Sequence, residues 1–173
     1  RTLPKLRALE AQLPGRVRTR PSTHAAIDEE LAQADVVIGA VLVAGAATPR
    51  LVTRQMLATM KPRSVLIDIS IDQGGCFETS HATTHAEPTF EVDDVIHYCV
   101  ANMPGAVPRT SSHALNLATL PFALALAGRG LDALRDDAAL RAGLNVLAGQ
   151  ITHPMVANAL DREYVEPLRA LGA

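Results

Sequence analysis

Apolar positions in the first hundred residues switch between helical and extended spacing, and their order predicts a layered α/β fold. Leu3, Leu6, Leu9 and Leu13 recur at helical spacing behind Pro4, which a first turn tolerates, and Pro14-Gly15 ends the run. A short strand, Val17–Arg20, is expected next. Pro21-Ser22-Thr23 then caps a second helix with Ile27, Leu31 and Ala34 on one face and Asp28, Glu29 and Glu30 in solvent. Asp35–Val43 is nearly all apolar, as in a strand covered on both faces, and runs into the loop Ala44–Pro49. A third helix from Pro49 to Met60 carries Val52, Met56 and Met60 on one side, and Lys61-Pro62-Arg63 stops it before a strand from Ser64 to Ser70. Strand, helix, strand is the βαβ rhythm. Its right-handed crossover brings the carboxyl ends of successive strands to one sheet edge, so the loops after Val43, Ile71 and Ala101 are expected to be neighbours.

Residues 76 to 94 contain Pro88 and scattered polar side chains, and read as a long excursion anchored by Phe77 and Phe90. The last strand is Val95–Val100. Beyond Pro104 and Pro108 the pattern turns helical, with Ser111 or Ser112 as cap. Leu115, Ala118, Leu120, Ala123, Leu124 and Ala127 leave that helix apolar almost all round, so its burial is expected. Leu131 to Ala173 is Ala/Leu-rich helical sequence broken by Gly143, Gly149 and Pro154, and the domain boundary falls near Pro104 to Pro108.

Composition narrows the function classes. With 48% hydrophobic residues but only 3% aromatic and no Trp, the core must be built from Ala, Leu, Val and Ile. A net charge of -2 with mixed signs supplies no basic field, so neither nucleic acid nor an anionic membrane is an expected partner. Cys76 and Cys99 form no Cys-x-x-Cys pair, which fits a reducing cytosol, and no apolar run reaches the ~20 residues that span a bilayer. The start at Arg1 rather than Met reads as a beginning inside a longer reading frame.

Candidate chemistry concentrates where the strand Val65–Ser70 runs into Ile71-Asp72-Gln73-Gly74-Gly75-Cys76-Phe77-Glu78. Open α/β sheets keep their ligands at such strand ends. Alternation puts Leu66, Asp68 and Ser70 on one face and Ile67, Ile69 and Ile71 on the other, so Asp68 lies inside the sheet and Asp72 at its exit. An interior carboxylate must be paired, hydrogen-bonded or neutral, which makes Asp68 structural. Asp72 is either a ligand-facing acid or a turn and cap residue, and Gly74-Gly75 let backbone approach a ligand closely or turn with positive φ. Near a cationic ring or imine, an ionised Asp72 gains about 4 kcal/mol at ~4 Å with an effective dielectric of ~20, less its desolvation. The segment from Val41 to Gly45 offers amides and aliphatic contacts for a flat ligand, or simply ends a buried strand. His81 and His85 have the spacing of a helical metal pair but sit among poor helix formers, so no metal site is expected. Neither cysteine has an activating neighbour, His97 reads as a packing residue, and no Gly-x-Ser-x-Gly elbow surrounds Ser111 or Ser112. No Gly-x-Gly-x-x-Gly occurs either.

Four motifs in order, Ile38-Gly39-Ala40-Val41-Leu42-Val43-Ala44-Gly45, Met60-Lys61-Pro62, Asp68 to Glu78, and Tyr98-Cys99-Val100-Ala101-Asn102-Met103-Pro104, resemble the carboxyl-terminal part of the bacterial L-alanine dehydrogenase family. The resemblance implies a partial Rossmann-type doubly wound parallel sheet that lacks its first strands. Helices of a second, substrate domain would follow it, with the chain divided into 1–106 and 107–173. It also implies an NAD-dependent oxidoreductase that converts L-alanine reversibly to pyruvate and ammonium, as a cytoplasmic hexamer. By position it implies Asp72 as the active-site acid beside the nicotinamide, and Val41, Leu42, Ile69, Asn102, Met103 and Lys5 as cofactor contacts. The family's glycine fingerprint, ribose-binding acid and proton-transfer His, Lys and Arg have no counterpart here, so the chain alone is expected to be catalytically silent. Two other readings stay open: the cofactor subunit of a nicotinamide nucleotide transhydrogenase, and a non-catalytic oligomerisation or binding module using the helix Ser112 to Ala127.

Overall fold

The computed structural model describes residues 3–43 and 48–172, so the Ala44-Gly45 part of the expected ligand loop lies outside the described residues. Two compact units emerge, one from residues 3–42 and 48–101 and one from residues 102–172 together with Val43.

In the first unit, α1 (Leu3–Gln12) ends where Gly15 takes a left-handed φ of 70°. α2 (His24–Leu31) is capped as the sequence predicts, the Thr23 side chain accepting from the Ala26 amide at 3.2 Å. The strands β1 (Val36–Gly39), β2 (Val65–Asp68) and β4 (Val95–Tyr98) run parallel, in register Val36 to Val65 and Val65 to Ile96. β3 (Thr89–Val92) pairs antiparallel with β4, giving the order β1-β2-β4-β3.

β3 lies inside the segment expected to be a loop excursion. Its signal was the alternation Thr89-Phe90-Glu91-Val92 followed by Asp93-Asp94, both with positive φ (52° and 62°), the geometry of a two-residue hairpin turn. Arg54 holds Asp93 in place through two hydrogen bonds of 2.9 and 3.0 Å.

Other departures have local causes. Val17–Arg20 forms no strand: Thr19 binds Glu10, and Arg18 and Arg20 pair with Glu30 and Glu29 instead. The third helix shrinks to α3 (Arg54–Leu57), capped by Thr53, because the backbone just before it bonds sideways to residues 73 to 78. β1 was expected to be covered on both faces, yet Val36 and Ile38 are 54% and 60% exposed while Gly39 and Val37 face the core. Among the described residues β1 is an edge strand of the sheet, as is β3, and an apolar groove of about 420 Å³ beside β1 is lined by Ile27, Leu31, Val36 and Ile38.

The core joins Leu31, Val52, Leu57, Met60, Leu66, Cys76, Phe77 and Val95. Phe77 is its largest fully buried side chain, and Gly39 is what admits it: a Cβ there would stand 2.2 Å from Cys76 Sγ and 2.7 Å from Phe77 Cζ.

The second unit opens on a 3₁₀ turn, Met103–Ala106, and the 22-residue helix α4 (Pro108–Arg129). Pro108 starts α4 without a side-chain cap, so the expected Ser111 or Ser112 cap is not formed. Ser111 lies inside the first turn, its hydroxyl donating to the Pro104 carbonyl at 2.9 Å. The expected burial of α4 is absent too, with Leu115, Leu117, Leu120, Phe122, Leu124 and Leu126 all exposed. α5 (Asp132–Asp136) and α6 (Ala138–Ala142) follow, then the hairpin β5 (Val146–Leu147) and β6 (Gln150–Ile151), α7 (Pro154–Ala159) and α8 (Pro167–Ala170). The hairpin turn, Ala148-Gly149, has positive φ at both residues. Among the described residues no helix is long and apolar enough to cross a membrane.

Gly39→Ala should therefore lower the urea midpoint of the chain by the equivalent of about 1–3 kcal/mol, an overpacking cost. Gly128→Ala in α4, where an added Cβ meets nothing within 4 Å, should leave the midpoint unchanged or raise it. Equal midpoints for the Gly39 variant and the parent would refute this account of the core.

Candidate functional site

The parallel strands place their carboxyl ends on one edge, and the backbone there is stitched together. The Ile69 amide donates to the Gly39 carbonyl at 2.8 Å. The Ser70 hydroxyl accepts from the Val41 amide and donates to the Val41 carbonyl, each at 2.8 Å. The loop after β1 and the loop after β2 are thus joined directly.

From Ser70 the chain makes one 3₁₀ turn, Ile71–Gln73, and reverses through Gly74 (φ 93°) and Gly75 (φ 78°). The returning segment then docks on residues 48 to 52. Thr48 donates to the Gln73 carbonyl at 3.0 Å, Leu51 to the Cys76 carbonyl at 2.7 Å and Glu78 to the Val52 carbonyl at 2.8 Å, while the Arg50 guanidinium donates to the Phe77 carbonyl. Gly75 is required twice, by its φ and by space: a Cβ would lie 2.8 Å from Asp68 Oδ2.

Asp68 is fully buried, as the strand alternation predicts. Its Oδ1 accepts from the Ser70 amide at 3.0 Å and from Cys76 Sγ at 3.5 Å, and its Oδ2 accepts from the Cys76 amide at 2.9 Å and the Ser80 hydroxyl at 2.6 Å. Burial, then the adjacent Asp68 carboxylate, pushes the Cys76 thiol up to about 12; burial likewise raises Cys99. Both are held as thiols, the inert state the sequence suggests.

Asp72 sits exposed on the 3₁₀ turn, with no side-chain hydrogen bond or ion pair among the described residues. Beside it in the sequence, Ile69 is 53% exposed, and Leu42, on the loop stitched to Ser70, is 70% exposed. Val41 is half-buried against the core. Val41, Leu42, Ile69 and Asp72 therefore belong to one edge of the first unit. Lys5 stands apart, exposed on α1. Asn102 and Met103 belong to the second unit, where Asn102 is left-handed (φ 55°), accepts from the Gly105 amide at 2.8 Å and caps the 3₁₀ turn that half-buried Met103 begins.

A further group had no expectation attached beyond packing. His97 is fully buried, Nδ1 facing the Val95 carbonyl at 2.9 Å and Nε2 the Thr79 hydroxyl at 2.7 Å, with Phe90 stacked at 4.8 Å and His81 stacked on Phe90 at 3.7 Å. Since a carbonyl can only accept, Nδ1 carries the proton and Nε2 accepts from Thr79. No group of three or more His, Cys, Asp or Glu among the described residues is placed to hold a metal ion.

A mostly parallel sheet whose carboxyl edge offers bare aliphatic side chains, an acid with no partner among the described residues and two left-handed glycines has the kind of edge at which doubly wound α/β proteins bind their ligands. The sequence profile described as "Alanine dehydrogenase/PNT, C-terminal domain" matches residues 1–154, and the chain belongs to that family. It is 56% identical over 173 residues to alanine dehydrogenase of Halomonas elongata, covering 99% of this chain and 47% of that protein. It is 50% identical over 167 residues to the Mycolicibacterium smegmatis enzyme, with 96% and 45% covered, and 49% over 169 residues to that of Bacillus subtilis, again 96% and 45%. A solved L-alanine dehydrogenase superposes with a TM-score of 0.81 at 46% identity, over 92% of this chain and 44% of that one. The chain thus spans about half the length of the relatives it matches.

Burial holds His97 below its ordinary value of 6.5, and the nearby His81 adds to the effect. With the folded-state value depressed, the unfolded chain binds more protons between that value and about 6.5, so stability is full above this window and falls as pH drops through it. Urea midpoints measured from pH about 8 down to 5 should show this loss, and His97→Gln should flatten that part of the curve. Parallel curves for parent and variant would assign the acid loss to other groups.

Proposed function

We propose that this chain is the cofactor-facing part of an NAD-dependent oxidoreductase that deaminates L-alanine to pyruvate and ammonium, reversibly. The observation that carries the reading is Asp72. It is a carboxylate without a protein partner among the described residues, on the edge that also bears exposed Leu42 and Ile69, within the Asp-Gln-Gly-Gly-Cys-Phe-Glu corner. The relatives named alanine dehydrogenase support it at 49–56% identity.

These residues fit a nicotinamide group. Leu42 and Ile69 give aliphatic surface for a flat ring, and Val41 presents main chain already ordered by Ser70. Nicotinamide, when bound, supplies the hydride acceptor. The Asp72 carboxylate would favour a cationic imine of the substrate over its neutral form, which is the sense of charge that amine oxidation needs, since hydride transfer moves the positive charge from the ring to the imine. Lys5, Asn102 and Met103 join the proposed cofactor contacts on the resemblance alone. No phosphate-binding glycine fingerprint and no base to take the amine proton is assigned within these 173 residues, so the chain by itself should form no NADH. A hexameric, cytoplasmic enzyme completes the proposal.

The test is NADH formation from L-alanine and NAD by the complete gene product. Asp72→Asn should lower kcat by about 100-fold or more while circular dichroism and the unfolding midpoint stay those of the parent. A variant as active as the parent would remove Asp72 from the chemistry, and absence of any activity in the parent would remove the alanine dehydrogenase reading.

A further inference from the structure

We propose that Asp68 is a positioning residue for Asp72: its buried carboxylate fixes the corner from Ser70 to Ser80 and thereby sets the place of the acid at its tip. The proposal deepens the reading of Asp72 just given and rests on it.

The argument starts from what holds Asp72. Its side chain bonds to nothing among the described residues, so its position is inherited wholly from the backbone of the turn. That backbone is fastened at both ends by one carboxylate. Ser70 precedes Asp72, Cys76 and Ser80 follow it, and all four donors converge on Asp68 at 2.6 to 3.5 Å. The two anchors are not equivalent to a generic core contact. The Ser70 and Cys76 amides are main-chain donors whose direction fixes the entry and exit of the turn, and the Ser80 hydroxyl pins the chain where it leaves.

Gly75 belongs to the same device. It brings the returning backbone so close that a Cβ would collide with Asp68 Oδ2 and stand 3.0 Å from Ser80 Cβ. Ile71, buried next to Asp72, and the Thr48 amide on the Gln73 carbonyl fix the turn from its other sides. No cation pairs with Asp68 among the described residues, so its desolvation is offset by these directed hydrogen bonds alone. A site for which apolar packing sufficed would have no use for such a group, whereas a corner that must hold one acid in one place does.

The experiment is a double-mutant cycle in the complete gene product. Asp68→Asn keeps the shape and the acceptor for the Ser70 amide but turns an NH₂ group toward the Cys76 amide. A misplacement of about 1 Å costs up to 10²-fold, so kcat for L-alanine oxidation should fall by about 10- to 100-fold, with KM for NAD changed less than about 3-fold. In an Asp72→Asn background the same substitution should change the residual rate by less than about 3-fold, because a residue that works through Asp72 has nothing left to position. A further full loss in that background, or a folded Asp68→Asn protein with the parent's kcat, overturns the proposal.

Hydrogen exchange provides a readout independent of activity. In Asp68→Asn the amides of Ser70 and of 74–76 should exchange at least about 10-fold faster, with those of β4 unchanged. Unaltered exchange at the corner overturns the positioning claim even if the parent shows no alanine activity, an outcome that would separately remove the assigned reaction. Should Asp68→Asn not fold, Ser80→Ala removes one donor and keeps the other three. It should give the same pattern, about 2- to 5-fold in kcat and again absent in the Asp72→Asn background; no kcat change with Ser80→Ala overturns the proposal as well.

Discussion

The hydrogen bonds that converge on the buried Asp68 carboxylate decide how the end of β2 is built, and with it the shape of the sheet's carboxyl edge. Ser70, Cys76 and Ser80 all turn inward to one side chain. A leucine of similar size would fill the same space but would orphan two main-chain amides and a hydroxyl, each costing about 1–3 kcal/mol when left unpaired in the interior. Because Cys76 is drawn in, Phe77 follows it over Gly39 into the core, and the Val52–Phe77 pairing then fixes the segment after β1. The corner and the core are therefore one construction. The polar half holds the turn, and the apolar half ties that turn to the sheet.

That coupling explains why α3 starts later than its helical spacing predicts. Val52, Met56 and Met60 do share a side and face the core, as helical spacing suggests. Yet residues 48 to 52 spend their amides and carbonyls on the returning corner rather than on helical bonds, so the regular helix begins only at Arg54. Hydrophobic spacing reports which side chains go inside; it does not report where the backbone finds its partners. β3 and the β5–β6 hairpin were missed for the opposite reason. Their strands are short, and the residues that close them, Asp93-Asp94 and Ala148-Gly149, are turn formers only through positive φ, which alternation alone does not reveal.

The parallel order of β1, β2 and β4, the Thr23 cap, the interior place of Asp68 and the exposed place of Asp72 were all legible, because each follows from period or from one residue's chemistry. The donors on Asp68 were not. Ser80 is twelve positions away, and Cys76 is reached only once two left-handed glycines reverse the chain. The resemblance carried the identity of the corner without its construction. Lys5 stands on α1, and Asn102 and Met103 belong to the second unit, so their place among the cofactor contacts rests on the resemblance.

The bare apolar residues among those described fall into two kinds, and the difference bears on the proposed cofactor site. Val36 and Ile38 on β1 are exposed beside the apolar groove, and the leucines of α4 are exposed along that helix. Leu42 and Ile69 are exposed on the edge that carries the Asp72 carboxylate, which has no partner among the described residues, and main chain ordered by Ser70. A wholly apolar surface rewards any covering that removes it from water, whereas specific recognition of a polar ring needs aliphatic area and a few fixed polar groups together. The edge that bears Asp72 supplies both, and the directed bonds of Asp68 are what keep its polar part in place.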